Sequence, residues 1–454
     1  MRSLEEQRRF FASGATLPLE VRLRWLKALG REIRARQEEI AAALRADLGK
    51  SQAESYMTET GQCLAELREA VRQLPRWAAA TRVPTPFAAF PGKSRILREP
   101  LGVCLVIAPW NYPFLLAITP VISAIAAGNC VTLKPSEYAP ATAKLIRKLC
   151  AACLPEEVCR VVTGDAAVAA ALTRERFDLI FFTGGAAVGR KVMAAAAEHL
   201  TPVVLELGGK SPCIVDETAD LHTAGRRIAW GKLLCAGQTC VAPDFLLVHR
   251  SVADRLVREI EDAADRFYGP DMLANAEYPR IVNRRHFDRL AAMIPAGDRI
   301  LSGGRTDARR YKIELTLIDA DLSDRSPLMQ EEIFGPLLPV VRYDDLDQAL
   351  ACIRRRPKPL ALYLFTRSAG RVQQVERTVS FGGGCVNDCV LHLSSTRLPF
   401  GGVGESGIGA YHGRTGFETF SHKKSLLLRP ARLDPPFRYP PFAGKLPLFQ
   451  LFLR

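Results

Sequence analysis

The chain has 454 residues, 48% of them apolar, and a net charge of +14. That length accommodates two or three domains of ~100–200 residues each. The basic residues are spread over the whole chain, with no basic run interleaved with aromatics ahead of the C-terminal tail. This excludes a nucleic-acid groove and leaves a solvated basic surface that attracts anionic ligands.

The first residues, "MRSLEEQRRFFASG", are charged and lack the apolar stretch of a signal peptide. No later run reaches the ~20 apolar residues that span a bilayer, so a soluble cytoplasmic protein is expected. Residues 20 to 75 carry apolar positions at helical spacing among many Arg and Glu, which predicts amphipathic surface helices. Prolines then break the pattern in "TRVPTPFAAFPGKSRILREP", an extended or hairpin segment.

From Leu101 short apolar, β-branched runs alternate with helical stretches. "GVCLVIAP", "NCVTLKPSE", "VCRVVTG", "FDLIFFTGG" and "VVLELGG" predict strands; "PATAKLIRKLCAACL" and "GRKVMAAAAEHL" predict helices. Strands joined by such helices need right-handed crossovers, giving an α/β fold with a parallel sheet of Rossmann type. Ligands of such sheets bind beyond the carboxyl ends of the strands, where each run here meets a polar or Gly-rich turn. A second α/β segment runs from about Ser211 to Cys385, with strands in "DFLLVHR" and "LPVVRYD" and a helix in "VADRLVREIEDAADRFYG". The Gly-rich block "LPFGGVGESGIGAYHGRTGF" then precedes a basic, Pro-rich and aromatic tail.

The twelve cysteines have no regular spacing and read as reduced thiols of a cytosolic protein. Cys150 and Cys153 have the spacing of redox and zinc motifs but no completing pair or histidine, and read as the buried face of a helix. Cys385 and Cys389 lack partners in the same way, so no metal site is expected. "GVGESG", with Gly402, Gly404 and Gly407, has dinucleotide-loop spacing but follows no strand, and "GGKS" at Gly208 to Ser211 lacks the first glycine of a phosphate loop. "FFTGGAAVGRKV" is better: an apolar strand runs into Gly184 and Gly189 is read as opening a helix, whose amides can hold a pyrophosphate.

With "APWNYP", "KPSE", "FTGGAAVG", "LELGGKSP", "GQTCVAPD", "MQEEIFGP" and "LPFGGVGESGIGAYHG" in this order, the chain resembles the NAD(P)-dependent aldehyde dehydrogenases, up to about Lys424. The "GQTCVAPD" form, the "YHG" and the short length resemble the class 3 branch. The resemblance implies that Cys240 is the nucleophile, attacking the aldehyde carbon to give a thiohemiacetal. It assigns the oxyanion donors to the Asn111 side-chain amide and the Cys240 N–H. Hydride transfer to the nicotinamide then leaves a thioester, against which Glu206 activates water. Branches that pass the acyl group to coenzyme A generally lack this glutamate, so a free carboxylic acid is the expected product.

For the cofactor, the resemblance places Lys134 and Glu137 at the adenosine ribose, Gly184 and Gly189 at the phosphate turn, and Glu332 and Phe334 at the nicotinamide end. The Glu137 carboxylate favours NAD, while Lys134 admits NADP. Medium or long aliphatic and aromatic aldehydes and a homodimer are what the branch implies. The expected division is a cofactor domain (1–78 and 99–205), a catalytic domain (206–385), a bridging segment (79–98 and 386–425) and a tail (426–454). The tail is expected to pack on a partner subunit or beside the substrate funnel, with peripheral contact to a membrane surface as the other reading.

A coenzyme A-acylating enzyme and a catalytically silent binding protein on the same fold stand as alternatives. Glu206 argues against the first, and the set Asn111, Glu206, Cys240 and Glu332 against the second. In one departure from the family, Cys235 stands where an asparagine is common, five residues before the nucleophile. It is either a small buried residue or a thiol that traps Cys240 as a disulfide under oxidation.

Overall fold

A computed structural model describes residues 2–295, 299–323, 325–431, 434 and 436–452. Strands Val103–Ile107, Cys130–Lys134, Cys159–Val161, Leu179–Gly184 and Val203–Leu207 form one parallel sheet, as their apolar runs predict. Every residue of the first two is buried, the pattern of a sheet covered on both faces. From Val103–Ile107 the chain builds outward through Cys130–Lys134 to Cys159–Val161. It then returns to lay Leu179–Gly184 and Val203–Leu207 on the other side. The reversal opens a crevice beyond the carboxyl ends of Val103–Ile107 and Leu179–Gly184, where ligands of open α/β sheets bind.

The second sheet has the order Ile300–Ser302, Thr316–Ala320, Leu337–Tyr343, Phe245–His249, Pro212–Val215, Ala361–Phe365 and Gly383–Val386. It is parallel except at its first strand. Val203–Leu207 runs on through Gly208 to Ser211 into Pro212–Val215, so the carboxyl end of one sheet leads directly to the amino end of the next. The Asp244 N–H donates to Ser211 O at 2.8 Å, fixing the segment before Phe245–His249 against this junction. Glu206 therefore stands at the last turn of one sheet and Cys240 at the entry to the other.

The Pro-broken segment is a hairpin: Thr81–Val83 pairs antiparallel with Lys93–Pro100. Ser421–Leu428 adds to the other side of Lys93–Pro100, with Ser421 opposite Pro100 and Leu428 opposite Lys93. This ladder crosses the expected start of the tail at residue 426. Gly407–Ile408, from the Gly-rich block, pairs with Leu205 and Glu206 at the edge of the first sheet. "GVGESG" itself is a tight turn, in which a side chain on Gly402 would meet the Ser406 carbonyl at 2.1 Å.

Candidate active site

Helix Leu221–Leu233 is started by Asp220, whose carboxylate accepts the Thr223 N–H at 2.9 Å. It ends in three consecutive left-handed residues, Cys235 (φ 52°), Ala236 (φ 52°) and Gly237 (φ 76°). Left-handed backbone is costly for ordinary residues and persists only where the surroundings enforce it. Here the Cys235 N–H donates to Glu54 Oε1 at 2.7 Å, and Gln238 Nε2 donates to the carbonyls of Cys235 (2.9 Å) and Arg280 (3.0 Å). Gln238 Oε1 accepts from the Val282 N–H at 3.0 Å, and the Thr239 and Tyr112 hydroxyls meet at 2.5 Å. A methyl on Gly237 would stand 2.3 Å from the Gly335 carbonyl. Gly237→Ala is therefore expected to lower stability by about 2–4 kcal/mol and to slow alkylation of Cys240, measured by thermal unfolding and iodoacetamide labelling.

The loop delivers Cys240 to the boundary of two cavities, both of which it lines. One, of about 250 Å³, occupies the crevice at the first sheet and is walled by Trp110, Asn111, Thr183, Gly184, Gly185, Glu206, His286, Arg289, Glu332 and Phe334. The other, of about 150 Å³, is mostly apolar: Met57, Tyr112, Leu115, Leu116, Trp230, Leu234, Val390, Leu391, Leu393, Phe400 and Tyr411 line it. Burial pushes the Cys240 thiol up from its ordinary value, and the Glu332 and Glu206 carboxylates add to this; the Cys240 and Val241 amides oppose it.

Glu206 is 2% exposed, and neither of its carboxylate oxygens has a hydrogen-bond partner among the described residues. Burial alone raises its pKa well above the usual carboxylate range. Glu332 is pushed up to about 8 by burial and then by Asp244, against the Gly209 N–H, Lys210 and Arg289. Its carboxylate fills the space a side chain on Gly208 would take, a Cβ there falling 2.0 Å from Oε2. Asn111 is 3% exposed and its Nδ2 donates to Gln238 O at 2.9 Å. The amide's second hydrogen has no acceptor among the described residues and remains for a ligand in the cavity that Asn111 shares with Cys240.

The model of the aldehyde dehydrogenase family matches residues 3–426. The chain belongs to the aldehyde dehydrogenase family. It is 46% identical over 450 residues to aldehyde dehydrogenase family 3 member H1 of Arabidopsis thaliana, covering 98% of this chain and 93% of that one. It is 44% identical to the 4,4'-diaponeurosporen-aldehyde dehydrogenase of Staphylococcus aureus, covering 99% and 98%. A solved structure, the substrate-bound state of the Staphylococcus aureus enzyme AldH, superposes with a TM-score of 0.97 at 43% identity, covering 100% and 99%. The class 3 resemblance is thereby established, and the protein is an enzyme that oxidises aldehydes to carboxylic acids.

In this aldehyde dehydrogenase the fold brings Asn111, Gly184, Glu206, Cys240, Glu332 and Phe334 to one cavity. Lys134 and Glu137 are not among its walls. Lys134 ends strand Cys130–Lys134, is 2% exposed, and its Nζ donates to Glu137 Oε2 at 2.6 Å. Gly189 corrects the sequence reading. The helix is Ala186–Ala197, capped by Gly185, and the Gly189 N–H is already bonded to Gly185 O at 3.0 Å. Gly189 instead lets the helix approach the sheet, since a Cβ on it would lie 2.7 Å from Leu207 Cδ2.

Sequence reasoning missed Trp110, His286 and Arg289 as cavity walls. Trp110 packs between His286 (ring centres 5.1 Å apart, tilted) and Phe334 (5.3 Å, edge-on), and Phe334 has a left-handed φ of 53°. Trp110 and Asn111 lie in the quoted "APWNYP", which carried a signal for both; "RRHF" carried none. Cys235 is fully buried and lines neither cavity, its Sγ donating to Asn111 O at 3.3 Å. Cys150 lies on the buried side of helix Pro140–Cys153, as expected, whereas Cys153, the last residue of that helix, is only partly buried. Cys385 does have a neighbour, His392 Nδ1 at 3.6 Å, which the turn after strand Gly383–Val386 brings round. No group of three or more metal-ligating side chains occurs among the described residues.

Proposed function

We propose that this enzyme converts medium or long aliphatic, or aromatic, aldehydes to free acids with NAD, NADP being also admitted. The supporting observation is that Cys240 stands at the boundary of an apolar cavity and of a crevice at the sheet switch point, with an unpartnered Glu206 carboxylate on the crevice side. Cys240 attacks the carbonyl carbon. The oxyanion is met by Asn111 Nδ2 and the Cys240 N–H, an arrangement in which each donor typically contributes ~3–4 kcal/mol. The bound nicotinamide supplies the acceptor for the hydride. Glu206 takes a proton from the water that cleaves the resulting Cys240 thioester.

The crevice residues fit a dinucleotide. Gly184 and Gly185, which lead into helix Ala186–Ala197, wall the crevice, a side chain on Gly185 would meet no atom within 4 Å, and Thr183 Oγ1 and Glu332 Oε1 are buried without partners among the described residues. Glu332 and Phe334 would hold the nicotinamide end. Lys134 and Glu137, at the next strand end, would meet the adenosine ribose once their mutual ion pair opens to it. Gly184 keeps the turn narrow, and Gly189 serves by packing.

We divide the chain into a cofactor domain (1–78, 99–205), a catalytic domain (206–385), a bridging segment (79–98, 386–425) and a tail. The strand Ser421–Leu428 leaves Leu426, Leu427 and Leu428 about 40% exposed, which supports a homodimer through this sheet. Exposed Leu446, Leu448 and Leu451 of the tail support contact with a partner subunit or a membrane surface. No described helix is long and apolar enough to cross a membrane. All twelve cysteines are free thiols, which supports a reducing cytoplasm.

The test is reduced-nicotinamide absorbance with an aldehyde series, NAD or NADP, and no coenzyme A. Turnover is expected, with KM falling about three- to fourfold per added methylene while the chain still enters the apolar cavity. Turnover that appears only when coenzyme A is added overturns the assignment in favour of acyl transfer.

A further inference from the structure

A buried charged cluster lies behind the active site and lines neither cavity. Lys50, fully buried, donates through Nζ to Glu59 Oε1 at 2.6 Å and to the Asn111 carbonyl at 2.9 Å. The same ammonium sits 3.9 Å from the centre of the Tyr112 ring. Glu59, also fully buried, uses its other oxygen to accept the Phe114 and Leu115 N–H groups at 2.9 and 3.1 Å, where helix Leu115–Ala127 begins. Glu54 accepts the Cys235 N–H, and the Cys235 thiol donates to the carbonyl already held by Lys50. Glu54 and Glu59 are five residues apart, about 140° round an ideal α-helix. The segment Tyr56–Thr60 is π-helical, and this wider winding lets both carboxylates serve one centre.

The two halves of the oxyanion site come from chain segments more than a hundred residues apart, Asn111 and the Cys240 loop, and both are tied to this cluster. Lys50 and Cys235 fix the Asn111 main chain, while Asn111 Nδ2 is steered by Gln238 O. Glu54 fixes the start of the left-handed turn that leads to Cys240. We propose that Lys50 and Glu54 are positioning residues of the oxyanion site, clamping Asn111 and the nucleophile loop in mutual register from behind. This rests on the roles given above to Asn111 and Cys240. A misplacement of about 1 Å in such a donor costs up to ~100-fold in rate. A buried ion pair that lines neither cavity would otherwise be hard to account for by stability, since such pairs are often no better than apolar residues.

The test is a double-mutant cycle read by the pre-steady-state burst of reduced nicotinamide. Lys50→Met is expected to slow the burst ~10–100-fold, leaving aldehyde KM and cofactor affinity within about twofold. In an Asn111→Ala background the same substitution is expected to slow it no further, because the group it positions is gone. Glu54→Gln, whose amide oxygen still accepts from Cys235, keeps the burst within about twofold; Glu54→Leu slows it as Lys50→Met does. Thermal unfolding of each variant monitors the fold, and the Glu54 pair decides the matter if Lys50→Met does not fold. Multiplicative effects of Lys50→Met and Asn111→Ala, or equal bursts in Glu54→Gln and Glu54→Leu, overturn the proposal. A wild-type burst that persists in Cys240→Ala overturns the underlying site instead.

Discussion

Cys240→Ala is expected to abolish aldehyde-dependent formation of reduced nicotinamide, a fall of about 10⁵–10⁶-fold. Among the residues that wall the two cavities, Cys240 is the one cysteine, and the hydroxyls of Thr119, Thr239, Ser394 and Thr396 are far less ionised near neutral pH. The alanine fits the space left by the sulfur, so cofactor affinity and thermal unfolding are expected to stay close to wild type. The thiolate is the reactive form. Because burial and the carboxylates of Glu332 and Glu206 hold the thiol above its ordinary value, the thiolate fraction rises with pH across the neutral range and beyond. The wild-type burst rate, and the rate of iodoacetamide labelling at Cys240, are thus expected to climb together as pH rises. Cys153, Cys240 and Cys385 are the partly exposed thiols, so peptide mapping can tell their labelling apart. Retained turnover in Cys240→Ala would show that the carbon is attacked by another group, and the mechanism proposed here would fall.

How much of this was legible in the sequence differs from residue to residue. Val103–Ile107 and Cys130–Lys134 announced themselves because a parallel strand buried on both faces must be continuously apolar and β-branched. Helix Leu115–Ala127 did not: all but its first residue are buried and Pro120 lies inside it, so it has no polar face to mark a helical period. Cys240, Glu206 and Asn111, which the fold brings to one cavity, could be singled out because their local motifs travel with them. Lys50 was not, because its partner Asn111 lies 61 residues away and only the fold brings them together. Gly189 was misread for a different reason. A glycine five residues past a strand end fits either a phosphate turn or close helix packing, and only the true helix start at Ala186 separates the two. Cys235 looked like a missing asparagine. Its left-handed φ suits asparagine better than cysteine, and the fold holds it there through Glu54 and Gln238.

Glu206→Gln is expected to give a single burst of reduced nicotinamide, near one equivalent per active site, followed by turnover slowed ~10²–10⁴-fold. In the mechanism proposed above, attack by Cys240 and loss of hydride do not require the Glu206 carboxylate, whereas hydrolysis does. The acyl group should therefore remain on Cys240, visible in the intact mass as the added acyl. Glutamine has nearly the shape of glutamate, and at this position neither oxygen accepts a hydrogen bond from the described residues, so the exchange breaks no contact among them. Replacing a buried ionisable group by a neutral amide is instead expected to leave thermal stability unchanged or slightly higher. The pH dependence follows from the same burial. The base works deprotonated, and burial raises its pKa above the usual carboxylate range, so wild-type steady-state turnover is lost on acidification while exposed glutamates are still ionised. In the glutamine variant that limb disappears from the residual turnover, while the burst keeps the pH dependence of the Cys240 thiol. Multiple rapid turnovers in Glu206→Gln, with no acyl adduct on the protein, would assign the water-activating step elsewhere in the crevice. Glu332 would be the next group to replace, since it shares that cavity with Cys240 and has its own pKa raised to about 8.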